Sequence, residues 1–260
     1  VESASIFCGP DAPKTWVGVY DHIFLENIEQ QIKAIDTPTF HFIYTTSNHS
    51  PYKIEDSLLD YDPARVMPHV GEDLRSNKTR NKELATYRYS DKALFSFVDS
   101  MKKAYPDSLF IITGDHSNLF GDLNNTSLIH RDYTLRDTFC TVALLQHPDL
   151  DSNMITTQKG THMSLMPTII EAIAPKGFEY YSITPSLFDD QPETLVTPYQ
   201  WITDSLMGDV RSDYGESSQP SAEPVPPIRP IDNHAKEARD WSLLTTWLIN
   251  HEEKLFSKKR

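Results

Sequence analysis

The 260 residues carry 24 Lys and Arg against 37 Asp and Glu, a formal charge of −13, which excludes the basic face a nucleic-acid binder uses to neutralise phosphates. With only 9 glycines the chain has no glycine-rich phosphate loop of the Walker or dinucleotide type, and no apolar run approaches the roughly 18 residues of a membrane-spanning helix. A hydrophobic content of 38% and an aromatic content of 11% are enough for a real core, while Cys8 and Cys140 are too few for a disulfide scaffold or a thiolate metal site.

The opening Val-Glu-Ser-Ala-Ser-Ile has neither an initiator Met nor a signal-peptide pattern, so removal of a preceding segment is the expectation. A helix is predicted over 20–34, where Phe24, Ile28 and Ile32 recur every fourth residue. The aromatic and β-branched run 40–45 (FHFIYT) predicts a strand, closed by the polar loop Ser47-Asn48-His49-Ser50-Pro51. A long helix follows, its stripe read as Leu84, Tyr87, Asp91, Leu94, Val98 and Met101, which places a carboxylate among apolar residues and demands a partner for it. The run 109–113 (LFIIT) predicts a strand covered on both faces and ending at Gly114-Asp115-His116.

Residues 117–137 have little periodicity and read as a long active-site wall; 138–145 (TFCTVALL) reads as another buried strand. Ser164 is the predicted cap of a helix with Pro167 in its first turn, which puts His162 just before a helix N-terminus. Beyond about residue 178 the pattern weakens. Ser217 to Pro230 is a proline-rich linker, and Trp241, Leu244, Leu248 and Leu255 mark the face by which a helix over 235–256 is expected to dock on the body. Alternation of helices with short apolar runs gives an α/β fold class.

Open α/β sheets place ligands at the carboxyl ends of their strands, which makes Asp115 and His116 the leading candidates. A carboxylate oxygen beside an imidazole nitrogen suits Zn or Mn, with Mg or Ca as the harder alternatives. The plain reading is a turn in which the Asp caps and the His is merely exposed. His49, His130 and His162 each lie at a strand end or helix start, and a cluster of such histidines is what metal-assisted ester cleavage uses. Trp16, Arg131 and Arg136 are candidates for a substrate pocket, offering an aromatic face for a sugar or glycerol and guanidinium groups for a charged oxygen.

Several motifs occur in a telling order: Trp16 with Gly18-Val19-Tyr20-Asp21, Thr46-Ser47-Asn48-His49-Ser50-Pro51-Tyr52, Tyr89-Ser90-Asp91-Lys92-Ala93-Leu94, Ile112-Thr113-Gly114-Asp115-His116, and Gly160-Thr161-His162 running to Pro167-Thr168. Over roughly residues 15 to 190 the chain resembles the second half of the sulfatase-like branch of the alkaline phosphatase superfamily, and most of all its lipoteichoic acid synthase and phosphoglycerol transferase group. The resemblance implies a three-layer α/β/α sandwich lacking its N-terminal strands, with 1–190 the C-terminal portion of the catalytic domain, 191–216 a peripheral extension, 217–230 the linker and 231–260 the terminal helix. It implies that Asp115 and His116 are metal ligands, usually for Mn or Zn, that His162 is a ligand in two-metal relatives, and that His49 contacts the substrate phosphate. His130 matches a histidine of phosphoethanolamine transferases.

Further implications concern what is not in the chain. The nucleophile and the first acidic metal ligand are expected upstream of Val1, so the 260 residues alone are expected to be inactive and to have the missing N-terminal half as a partner. Substrates would be phosphate or sulfate esters of a glycerophospholipid or glycan, and the parent would face outward from a bacterial membrane. Three functions follow from the resemblance: a metal-dependent phosphoryl transferase or phosphate-ester hydrolase, a carbohydrate sulfatase, and a non-catalytic binding module of the same ancestry.

Overall fold

A computed structural model describes residues 7–62, 72–117, 134–154, 159–197, 199–211, 215–217 and 234–251. They divide into two units, one built from 7–112 and 143–148, the other from 113–117, 134–142 and the described residues from 149 onward. His130 and Arg131 lie outside the described residues, as do 218–230 of the linker and the last nine positions, while Ser217, expected to open the linker, is the last residue of a strand.

In the first unit, α1 (Asp21–Lys33) has an acid in its first turn and a lysine in its last, the arrangement its dipole favours. A short helix α2 (Glu72–Arg75) precedes α3 (Lys78–Ala104), whose start is capped by the Asn77 side chain accepting the Arg80 N–H at 3.0 Å. Leu25 of α1 packs with Ala93, Phe97, Val98 and Met101 of α3, and Ile43, Phe110 and Ile112 join from the layer beneath. The buried face of α3 also includes Glu83, Thr86 and Tyr89, whereas Asp91 is exposed. The expected burial of Asp91 is therefore wrong: the helix is rotated to bury Glu83, which an ion pair with Arg80 at 2.5 Å makes tolerable.

β1 (Phe110–Thr113) pairs with β2 (Ala143–Gln146) in a two-stranded sheet. The predicted strand over 40–45 pairs with neither sheet among the described residues. Within it Ile43 turns to the core, while His41 is exposed and Phe40, Phe42 and Tyr44 are exposed at 59%, 84% and 55%. What it lacks is a neighbouring ladder.

In the second unit, residues 135–139, predicted as strand and loop, form the helix α4 (Leu135–Phe139) instead. A reciprocal capping box between Thr134 and Asp137 nucleates it. A tight turn over His162–Ser164 runs straight into α5 (Leu165–Ile173). Ser164 makes no side-chain cap; its carbonyl accepts the Thr168 hydroxyl at 2.6 Å, and that hydroxyl accepts the Leu187 N–H at 2.8 Å.

Where the sequence pattern weakened, the chain forms a four-stranded antiparallel sheet of β3 (Leu195–Val196), β4 (Gln200–Ile202), β5 (Leu206–Asp209) and β6 (Gly215–Ser217) in sequential order. Trp201 is fully buried and sits opposite Gly208, where any β-carbon would overlap the indole. The terminal helix α6 (His234–Asn250) packs on this sheet. Its small Ala238 is fully buried against Trp201 and Val210, while of the face expected to dock Leu248 is half-buried and Trp241 and Leu244 are exposed. A methyl lets the backbone approach the flat indole surface more closely than an indole or isobutyl group would.

Candidate active-site loops

The loop after the 40–45 segment is a tight turn. The His49 N–H donates to the Thr46 carbonyl at 3.2 Å, the Tyr52 N–H donates to the His49 carbonyl at 3.0 Å, and Tyr52 takes the left-handed conformation at φ 58°. A carbonyl accepts only, so the 2.6 Å contact from His49 Nδ1 to the Ser50 carbonyl puts the proton on Nδ1 and leaves the lone pair on Nε2. The same carbonyl accepts the Trp16 indole N–H at 3.0 Å, and the two rings meet edge to face at 5.3 Å. Trp16, 70% exposed, and His49 thus form one open, amphipathic surface.

Trp16 stands on a turn closed by the Thr15 N–H to the Gly18 carbonyl at 2.8 Å. A β-carbon at Gly18 would come within 2.6 Å of the Thr46 hydroxyl oxygen, so only glycine lets this turn lie against the His49 loop. Beneath both lies Asp21, 1% exposed, which sequence reasoning did not single out as a functional residue. Its Oδ1 accepts the N–H groups of Thr46 and Ser47, each at 3.0 Å, and its Oδ2 accepts the Ser90 hydroxyl at 3.0 Å. Ser47, fully buried, accepts the Asp21 N–H at 2.8 Å. Next along α1, His22 Nδ1 lies 2.5 Å from the Tyr89 hydroxyl, which also accepts the His22 backbone N–H at 3.3 Å; burial pushes that phenol up to about 12, so it keeps its proton.

In the second unit, β1 ends at Thr113 and Asp115 and His116 follow Gly114 into solvent. His116 Nδ1 donates to the Ser117 carbonyl at 2.7 Å, which leaves Nε2 as the lone-pair nitrogen, 3.6 Å from Asp115 Oδ2. Two tetrahedral ligands each about 2.1 Å from a zinc ion stand roughly 3.4 Å apart, so the donor types and their spacing fit a shared divalent cation. The loop is braced by the Ser117 hydroxyl, which donates to the Asp137 carbonyl at 2.6 Å at the end of α4, the helix that carries Arg136. Gly114 is required here as well, because a β-carbon would lie 2.5 Å from the Thr141 hydroxyl oxygen.

His162 is brought to the same strand end. Its Nε2 donates to the Gly114 carbonyl at 2.7 Å, so Nδ1 is the nitrogen left to ligate. Among the described residues no three His, Cys, Asp or Glu side chains converge on a single point, and no helix is long and apolar enough to cross a membrane. Cys8 and Cys140 are free thiols, both pushed up by burial.

The family model described as Sulfatase matches residues 4–174. This chain belongs to the sulfatase family. No curated protein matches the sequence of this sulfatase-family member. Among solved structures, the lipoteichoic acid synthase LtaP from Listeria monocytogenes superposes with a TM-score of 0.62 at 14% identity, over 90% of this chain and 60% of that one. The sulfatase-family chain therefore has an alkaline-phosphatase-like α/β fold and spans 60% of the LtaP chain's length.

Proposed function

We propose that this chain is the Asp-His-bearing part of a metal-dependent phosphoryl transferase or phosphate-ester hydrolase of the phosphoglycerol type. The observation that supports it most is the pair at the end of β1, a carboxylate oxygen and an imidazole lone pair 3.6 Å apart on a strand-end loop. Asp115 and His116 would hold a divalent cation of the Mn or Zn class, with His162 contributing through Nδ1. Such an ion supplies Lewis acidity toward an ester oxygen and stabilises charge that builds there. The Ser117 and Gly114 carbonyls orient the two imidazoles and set which nitrogen of each ring is left for the ion.

His49 and Trp16 would receive the substrate. With Nδ1–H directed at Ser50, a neutral His49 offers only a lone pair, which accepts from a phosphate that still carries a proton, such as inorganic phosphate; toward a phosphodiester, which carries none, it donates only once it is itself protonated. Trp16 offers a flat face to a glycerol or sugar carbon skeleton. In this reading the nucleophile and further acidic ligand come from sequence beyond these 260 residues, and the chain alone turns nothing over. The likeness to a lipoteichoic acid synthase supports a glycerophosphate lipid substrate on the outer face of a bacterial membrane; the family match keeps sulfate esters as the second reading.

Calorimetric titration of Mn²⁺ and Zn²⁺ into the protein is expected to show one weak site, lost in Asp115→Ala and weakened in His116→Gln. Binding that survives Asp115→Ala overturns the metal assignment. In the same samples, inorganic phosphate at neutral pH should shift the His49 ring resonances while inorganic sulfate, which has no proton to give, should not. Equal response to both ions favours the sulfatase reading.

A further inference from the structure

We propose that Asp21 is the positioning residue of the His49 loop, setting where His49 and Trp16 stand rather than taking part in chemistry or metal binding. This rests on the substrate role given above to His49 and Trp16. A carboxylate sealed from water is costly unless donors compensate it. Here the compensation comes from two backbone N–H groups of the loop, a hydroxyl of α3 and the N-terminal end of α1, in whose first turn Asp21 lies.

These bonds lead directly to the exposed rings. The Thr46 peptide is gripped on both sides, its N–H by Asp21 and its carbonyl by the His49 N–H. Ser47 is locked reciprocally, giving its N–H to the Asp21 carboxylate and taking the Asp21 N–H on its hydroxyl. His49 then fixes its ring on the Ser50 carbonyl, the same atom that holds the Trp16 indole, and Gly18 brings the Trp16 turn against Thr46. Ser90 ties the whole set to α3, the most deeply packed helix of this unit. Exposed side chains keep a defined geometry only when buried neighbours hold their backbone, and Asp21 is the buried neighbour that holds the Thr46 and Ser47 amides from which this loop runs.

The chemistry also says which replacement should be harmless. In Asp21→Asn the amide oxygen can still accept both loop N–H groups, and the amide nitrogen can donate to Ser90, whose hydroxyl accepts equally well. The charge goes and the geometry stays. Asp21→Ala instead strands two buried N–H donors.

The test uses protein labelled with ¹⁵N at histidine, with His49 assigned by its loss in His49→Gln, at about pH 8 where ordinary imidazoles are neutral. Wild type should show widely split Nδ1 and Nε2 resonances for His49, the signature of one fixed tautomer. Asp21→Asn should keep that splitting and bind inorganic phosphate within about threefold of wild type, while Asp21→Ala should average the two resonances and bind phosphate at least about tenfold more weakly. A role confined to stability would lower the melting temperature of Asp21→Ala and leave the His49 splitting intact, which overturns the proposal. Loss of the splitting in a folded Asp21→Asn overturns it too, since the charge would then matter in itself. Should Asp21→Ala fail to fold, Ser90→Ala and Ser47→Ala serve instead: partial averaging supports the proposal and an unchanged ring overturns it. If wild type binds no phosphate, the substrate role of His49 fails, and the splitting alone still decides the part played by Asp21.

Discussion

Tyr89 shows how a single buried side chain carries a pH dependence for the unit around it. Desolvation, the largest effect, favours the neutral phenol and raises its pKa to about 12. Between the ordinary value near 10 and that raised value, the unfolded chain releases this proton and the folded chain retains it, so stability present below pH 10 drains away as the pH climbs. Urea unfolding across that window should show wild type losing stability with a slope approaching about 1.4 kcal/mol per pH unit from this group. Tyr89→Phe should lack that component, and parallel curves for the two proteins would refute the assignment. While the roles expected of Asp115, His116 and His49 came from the family resemblance, their exposed loop positions were legible in the sequence as polar residues next to short apolar runs. Their tautomers were not, because each depends on a carbonyl whose direction only the folded turn determines. Asp21 was illegible for a related reason: its partners lie 25, 26 and 69 positions away.

At the level of elements, α3 is the instructive error. Its predicted stripe ran through Leu84, Tyr87, Asp91, Leu94, Val98 and Met101, but the buried set is Glu83, Ala85, Thr86, Tyr89, Ala93, Phe97, Val98 and Met101, and the two agree only at Val98 and Met101. A hydrophobicity pattern discounts buried polar residues, and Glu83 and Thr86 are what shift the phase; Glu83 is tolerated because Arg80 and the Tyr87 hydroxyl bind it. The start of this helix depends on its cap. Asn77→Ala should cost about 1 kcal/mol in chemical denaturation, since the side chain satisfies one otherwise orphaned N–H of the first turn. No change in the midpoint would show that the cap contributes nothing. The β-sheet of 195–217 went unread because strands of two to four residues are too short to display a period. The strand 110–113 was legible because its apolar run is uninterrupted and turn residues bound it.

For the molecule as a whole, family and fold class were legible from the order of five short motifs, while the partition into two units was not, since the chain crosses between them at residues whose local sequence carries no linker signal. The row Phe40, Phe42 and Tyr44 has a practical consequence. A chain of charge −13 should repel its copies, but that repulsion is long-ranged and vanishes as salt shortens the Debye length to about 3 Å at 1 M, whereas exposed rings attract at contact. Light scattering should therefore find a second virial coefficient that turns negative at high salt, and Phe42→Lys should keep it positive; identical curves would clear the aromatic row of blame. Colloidally, then, the protein is a polyanion with a greasy seam along 40–44, expected to stay dispersed at low ionic strength and to precipitate early in ammonium sulfate.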